Sequence, residues 1–437
     1  MAELIPADIA WMLVSTALVL LMTPALALFY GGLVRSKNVL STFMHSFFAL
    51  GLVTLQWVLI GYSLAFAPTK GGIIGGMDYA LFQGVGLEPK GSIPHLLFAA
   101  FQMMFAIITP ALISGAFAER IKFSAYVLFT LLWATFVYDP LAHWVWGPGG
   151  WLVERGALDF AGGTVVHLSA GISALVIAVM VGKRLGYPHR KVPPHNLTMT
   201  LLGAGLLWFG WFGFNAGSAL GANATAVLAL VNTHIAAGLG ALAWAAAEWI
   251  RHGKPSALGV ASGLIAGLVA ITPAAGFVGP VDSIWIGLIA GVVCYAGVLL
   301  KHRIGYDDAL DAFGVHGIGG AAGAVLTGVF ASKVWNPNGA NGLLYGGTAV
   351  FWEQILAVAA TGLYAIGMTF VIVRVVDKVV GFRPLEHIEQ EGLDYAMHGE
   401  EAYGDVFDGR KMQPDETAAS ESAGVVIPAT EMMKSPS

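Results

Sequence analysis

Apolar runs of roughly 20 residues, the length that crosses a bilayer core as a helix, recur along this sequence with short polar connections between them. Eleven are found, at about 9 to 33, 39 to 66, 94 to 118, 123 to 146, 161 to 182, 197 to 220, 225 to 250, 257 to 275, 281 to 301, 309 to 331 and 346 to 376. They predict an all-α polytopic membrane protein with eleven transmembrane helices. Composition agrees, because 57% of the 437 residues are hydrophobic and only 11% charged, whereas soluble domains carry about 25%. The first Lys or Arg is Arg35, so the first run is expected to be a retained span and not a cleaved signal.

Positive charge sets the expected orientation. If the connection carrying Arg35 and Lys37 is cytoplasmic, 18 of the 22 basic residues share that side, and Lys70, Lys90, Arg155 and Lys333 face the other. The bias predicts an outer N-terminus and a cytoplasmic C-terminus. Two five-span halves would then be an inverted repeat, 1–195 and 196–331, followed by a last helix at 345–377 within a transmembrane domain of 1–377. The segment 378–437 is expected to be a cytoplasmic tail. Its stretch RPLEHIEQEGLDYAMHGEEAYG is expected to fold against the membrane domain, and 412–437 to be disordered.

The repeat has chemical content. DFAGGTVVHLSAG, residues 159–171, sets His167 about two turns into an apolar, small-residued helix, and DAFGVHGIGG, residues 311–320, sets His316 in a similar context behind Asp311. An ionisable group inside a span is expensive and by default functional. The two histidines are therefore expected to meet near the midplane, one from each half. Asp159 reads as a helix-start carboxylate, which the helix dipole favours.

Other patterns narrow the classes. Cys294 is alone, so no disulfide, CxxC or metal-ligand cluster is expected. GxG strings such as Gly238-Leu239-Gly240 follow no strand, which rejects a dinucleotide fingerprint. The ladder Gly259, Gly263, Gly267 is a helix-packing pattern. There is no nucleophile–base pair, so an enzyme is not expected, nor a nucleic-acid partner or a cofactor. A haem or redox membrane protein is an alternative for paired histidines, against which His45, His95, His143 and His234 lie near different span ends or faces. The loop 67–93 is expected to be irregular, and 138–158, rich in aromatics with Pro and Gly, to be a structured outer loop. Phe101 and Phe105, like Phe214 and Ser218, are four apart and share a helix face. Such faces could line a conduit in which aromatic rings hold a cation at about 0.5 to 2 kcal/mol each.

YGGLVRSKN, DFAGGTVVHLSAG, WFGFNAGS and DAFGVHGIGG, in this order, resemble the ammonium transporter (Amt/Mep/Rh) family, most closely its Amt branch, over residues 8 to 405. The resemblance implies a homotrimer in the cell (inner) membrane with one conduit per subunit. By matched position it implies a recruitment site of Trp146, Phe105 and Ser218 with Phe101 beside it, a gate of Phe105 and Phe214, and pore imidazoles His167 and His316. Asp159 would be structural. The tail segment EGLDYAMHGEEAYG, residues 391 to 404, resembles a region that accompanies inhibition by a cytoplasmic PII signal protein. The expected activity is transport of ammonium, deprotonated and conducted as ammonia, with or without a separately routed proton; a sensor of the same fold is the alternative.

Overall fold

A computed structural model describes residues 3–189 and 192–403. The stretch 412–437 and the basic residues Arg190, Lys191, Arg410, Lys411 and Lys434 lie outside the described residues.

Among the described residues ten helices are long and apolar enough to cross a membrane: α1 Pro6–Leu33, α2 Ser36–Phe66, α3 His95–Phe117, α4 Phe123–Glu154, α5 Gly163–Val181, α6 Leu197–Ala216, α7 Ala224–His252, α9 Pro280–Ile304, α10 Phe313–Phe330 and α11 Ala349–Val380. The protein is therefore a multi-pass membrane protein. The expected eighth span is shorter than the others: α8 covers only Ala257–Ile271, about 22 Å at 1.5 Å per residue. Pro273 follows its last turn and has no N–H to continue the ladder. Polar side chains set several helix starts. Asn196, Asn223 and Ser256 each accept a bond from a first-turn N–H of α6, α7 and α8.

Two loops are more ordered than their composition suggests. Within 67–93, β1 Thr69–Lys70 pairs antiparallel with β2 Ile74–Gly75, and β3 Pro89–Lys90 with β4 Ile93–Pro94. The stretch 138–158 is mostly helix, because Asp139–Trp146 continues α4 and only a tight turn separates it from the short helical turn Trp151–Glu154. The last helix runs on to Val380, so the expected tail boundary at 378 falls inside it. Two short helices follow, α12 Glu386–Glu391 and α13 Leu393–His398.

α1 packs along α6, α7 along α8 and α9, and α11 against α5. α5 crosses α10 backbone against backbone. A methyl on Gly171 would stand 2.0 Å from the Gly317 nitrogen, and one on Gly320 would stand 2.7 Å from the Gly163 oxygen. Only glycine permits that crossing. Each glycine follows its helix's histidine by four residues, so the two contacts repeat one geometry from opposite sides.

Candidate functional site

Five helices contain a π-turn among the described residues, and three of those turns carry His167, Phe214 and His316. Such turns widen the helix and shift side-chain direction, and they concentrate at functional sites.

α5 begins on Asp159. Its carboxylate accepts the N–H groups of Gly162, Gly163 and Thr164, each at 2.7 Å, and the Thr164 hydroxyl. Those are donors that a helix start leaves without intrahelical partners. His167 comes one turn after Gly163, not two. α10 begins in the same way, but on Asp308 and not on the expected Asp311. Asp308 accepts from Ala312 N at 3.1 Å and Phe313 N at 2.8 Å, while Asp311 has a left-handed backbone, φ 61°, and pairs with Lys301. Asp159 to His167 and Asp308 to His316 are both eight residues, so the true repeat unit is Asp-x7-His.

The two imidazoles meet. His167 Nδ1 lies 3.3 Å from His316 Nδ1, with ring centres 5.3 Å apart and planes 21° from parallel. One Nδ1 must carry a hydrogen and the other must accept it. The pair then has a single N–H left, on one outer Nε2, and a bare acceptor on the other. His167 Nε2 is buried with no partner. Beside it the indole of Trp211 stacks at 5.3 Å, held by a 2.9 Å bond from its Nε1 to the Thr272 hydroxyl.

Aromatic rings continue the column above His167. Phe214 is 5.9 Å away, Phe105 stacks on Phe214 at 4.2 Å, and Trp146 stands edge-on to Phe105 at 6.1 Å. Trp146 Nε1 donates to the Asp159 carbonyl at 2.9 Å. Ser218 Oγ donates to the Phe214 carbonyl at 2.8 Å, which spends its one hydrogen and leaves it an acceptor towards any guest.

Cavities flank the column. One of about 360 Å³ is lined by Trp146, Phe105, Ser218, Asp159, Phe66 and Phe98 on the side of the β hairpins. Another of about 200 Å³ reaches His316 from the side of Arg184 and Asp311. Between them, Val166, Leu112, Leu207, Trp211, Phe214 and both histidines enclose about 10 Å³ of free space, room for one water-sized molecule. Phe101 is fully buried behind Phe105, at 5.0 Å, and does not line the larger cavity.

One lining residue escaped the sequence reading. Gln102 faces the larger cavity with a buried side-chain oxygen that has no partner. A lone amide between two phenylalanines of an apolar run is the only signal it leaves. Among the described residues no group of three or more His, Cys, Asp and Glu could hold a metal. The paired histidines face each other, and His45, His95, His143 and His234 contact Tyr126, Tyr62, Thr69 and Trp208.

The family model described as Ammonium Transporter Family matches residues 10–403. The chain belongs to the ammonium transporter family. An ammonium transporter of Bacillus subtilis is 55% identical over 402 residues, 91% of this chain and 98% of that protein. Ammonium transporter Amt1 of Archaeoglobus fulgidus is 48% identical over 91% of this chain and 99% of its own. Among solved structures, Mep2 of Saccharomyces cerevisiae superposes with a TM-score of 0.83 at 37% identity, covering 88% of this chain and 91% of that one. A sensor Amt protein reaches 0.84 at 29% identity, over 90% and 98%. This family and this fold are those of transporters and not of enzymes.

Proposed function

We propose that this ammonium transporter recruits ammonium at the cavity of Trp146, Phe105 and Ser218, strips one proton, and conducts ammonia past His167 and His316. The observation that carries the reading is the 3.3 Å histidine pair standing between two cavities, in a space sized for one small molecule. The orientation that fits puts the N-terminus and the recruitment cavity outside and the tail in the cytoplasm, in a domain of 1–377 with halves 1–195 and 196–331 and a tail of 378–437.

Ammonium and potassium share size and charge, so the cavity separates them by hydrogen bonding. The rings of Trp146 and Phe105 attract either cation, but only ammonium can donate to the Ser218 oxygen and to the orphan oxygen of Gln102. Below lies the stacked gate of Phe105 and Phe214, and beyond it an apolar bore. Desolvation there disfavours the charged form, and ammonium can become neutral by giving a proton to water in the recruitment cavity before the gate, while potassium cannot. Ammonia then meets His167 Nε2, and the imidazole pair hands a hydrogen bond from one side to the other. Asp159 holds the start of α5 and so the position of His167. Phe101 supports the Phe105 ring from behind.

Three such subunits would form the working homotrimer in the inner membrane. The tail, fastened at α12 and α13, is the surface on which a cytoplasmic PII signal protein would act. A sensing role is a second reading, favoured by the likeness to the sensor Amt protein. Methylammonium flux in proteoliposomes tests the main reading, with His167→Ala and His316→Ala against the parent. Both variants should lose flux or admit potassium. Unchanged, potassium-blind flux in both would remove the pair from the mechanism, and binding without flux in the parent would favour the sensor.

A further inference from the structure

Beside the recruitment cavity the β3–β4 hairpin carries Lys90 into a cage of aromatic rings. Its Nζ lies 4.4 Å from the ring centre of Phe98, 5.8 Å from Tyr62, 5.9 Å from Phe66 and 6.0 Å from Tyr79. At these distances a ring quadrupole attracts a cation. Two of the four rings, Phe66 and Phe98, also line the cavity that holds Trp146, Phe105 and Ser218. A tethered primary ammonium thus shares walls with the space in which a free ammonium would wait.

We propose that Lys90 sets the affinity of that cavity for cations: its charge, held behind the shared rings, opposes a second cation, and loss of the charge relieves the opposition. The proposal rests on reading the cavity as the recruitment site. The polar groups facing Lys90 come from three elements. Tyr62 Oη of α2 is 3.3 Å from Nζ and His95 Nε2 of α3 is 3.5 Å from it, while Tyr79, from the loop after β2, offers a ring. Glu88 reaches Lys90 only through His95, by a 3.3 Å contact with Nδ1. The acid therefore leaves the charge in the cage unpaired among the described residues.

Burial lowers the Lys90 ammonium from its ordinary 10.5 to about 8. Below that value the cage holds a full charge, and above it a neutral amine. Backbone and side-chain bonds keep Glu88 ionised throughout this range, so only Lys90 changes the local sum. A unit charge roughly 10 Å from a cation, at an effective dielectric of about 20 to 80, changes its binding by about 2- to 16-fold.

The test uses the full-length protein in proteoliposomes. The KM for methylammonium, referred to the cation concentration, is followed from about pH 6.5 to 9.5, a window that spans the Lys90 transition. The parent KM should fall about 2- to 16-fold as pH rises through 8. Lys90→Met, which fills the cage without charge, should be flat at the low value, and Lys90→Arg flat at the high one. A Lys90→Met protein that follows the parent curve overturns the proposal, as does one that only melts earlier, since that would make Lys90 a latch for its hairpin. Trp146→Leu serves as the control. If it leaves KM unmoved, the recruitment reading itself fails; if it raises KM while Lys90→Met tracks the parent, only the role of Lys90 fails.

Discussion

Gly171 of α5 meets Gly317 of α10 so closely that a methyl group on Gly171 would fall 2.0 Å from the Gly317 amide nitrogen and 2.8 Å from the His316 carbonyl carbon. Backbone cannot swing aside as a flexible side chain can, so any Cβ here must push the two helices apart. Because His167 is on one helix and His316 on the other, the packing contact and the 3.3 Å imidazole contact are one geometry.

Gly171→Ala should therefore cost at least the ~1–3 kcal/mol of an overpacked core, and should lower methylammonium flux by more than the loss of folded protein accounts for. Gly205→Ala is the matched control, since a Cβ there meets nothing within 4 Å. Thermal melting in detergent, read alongside flux per folded protein, checks both. A Gly171→Ala protein with parental melting and flux would show that α5 and α10 can separate freely.

At the proposed recruitment cavity, Trp146 offers both a ring edge-on to Phe105 and an indole N–H bound to the Asp159 carbonyl. Trp146→Leu removes both. One lost cation–π contact of about 0.5–2 kcal/mol raises half-saturation by about 2- to 30-fold. Trp146→Phe keeps a ring and should fall between. Identical half-saturation in all three would take Trp146 out of recruitment.

Much of this was legible in advance because the bilayer narrows the choices. Every span must satisfy its own backbone, so the apolar runs mark the helices, and an intramembrane histidine such as His167 or His316 stands out against them. What stayed hidden depended on local geometry. The string DDALDAFGVH offers several carboxylates, and which one starts α10 depends on a π-turn that periodicity does not reveal. α8 read as a full span because its apolar run continues past Pro273, where the helix has already ended. The hairpins of 67–93, and with them the cage around Lys90, arise from short pairings among Gly and Pro that carry no periodic signal.

The aspartates that start α5 and α10 should differ in weight. Asp159 satisfies four amides and a hydroxyl, Asp308 two amides. At about 1–3 kcal/mol for each buried donor left without a partner, Asp159→Ala should melt well below Asp308→Ala. Asp159→Asn, which keeps one acceptor oxygen, should lie between Asp159→Ala and the parent. If Asp159→Ala melted like the parent while losing flux, the carboxylate would act on the guest and not on the helix.

The tail is joined to the same framework through buried charge, and this has a pH consequence. Glu119, fully buried, accepts from Arg35 Nε at 2.8 Å, Arg184 Nη1 at 3.2 Å and Asn38 Nδ2 at 2.9 Å. Asn38 in turn accepts the Leu393 amide at 2.8 Å, and Asp394 accepts those of Leu40 and Ser41 at 3.0 and 2.8 Å. Burial by itself would raise the Glu119 carboxyl, but Arg35 and Arg184 outweigh it and hold the group below its ordinary 4.5. A depressed folded value adds stability that is full above 4.5 and is lost as pH falls through the folded value. Melting temperature should thus decline on acidification below about pH 4.5. Glu119→Gln, which strands Arg35 and leaves Arg184 only its pair with Asp307 at 2.8 Å, should cost about 3 kcal/mol at neutral pH and show a shallower acid decline. Arg35 and Lys37 border the first connection and Leu393 belongs to α13, so the same variant should loosen α13, read as faster hydrogen exchange at Leu393 and Asp394 at neutral pH. A Glu119→Gln protein with parental melting, slope and exchange would mean that the arginines find other partners and that the tail does not depend on this charge.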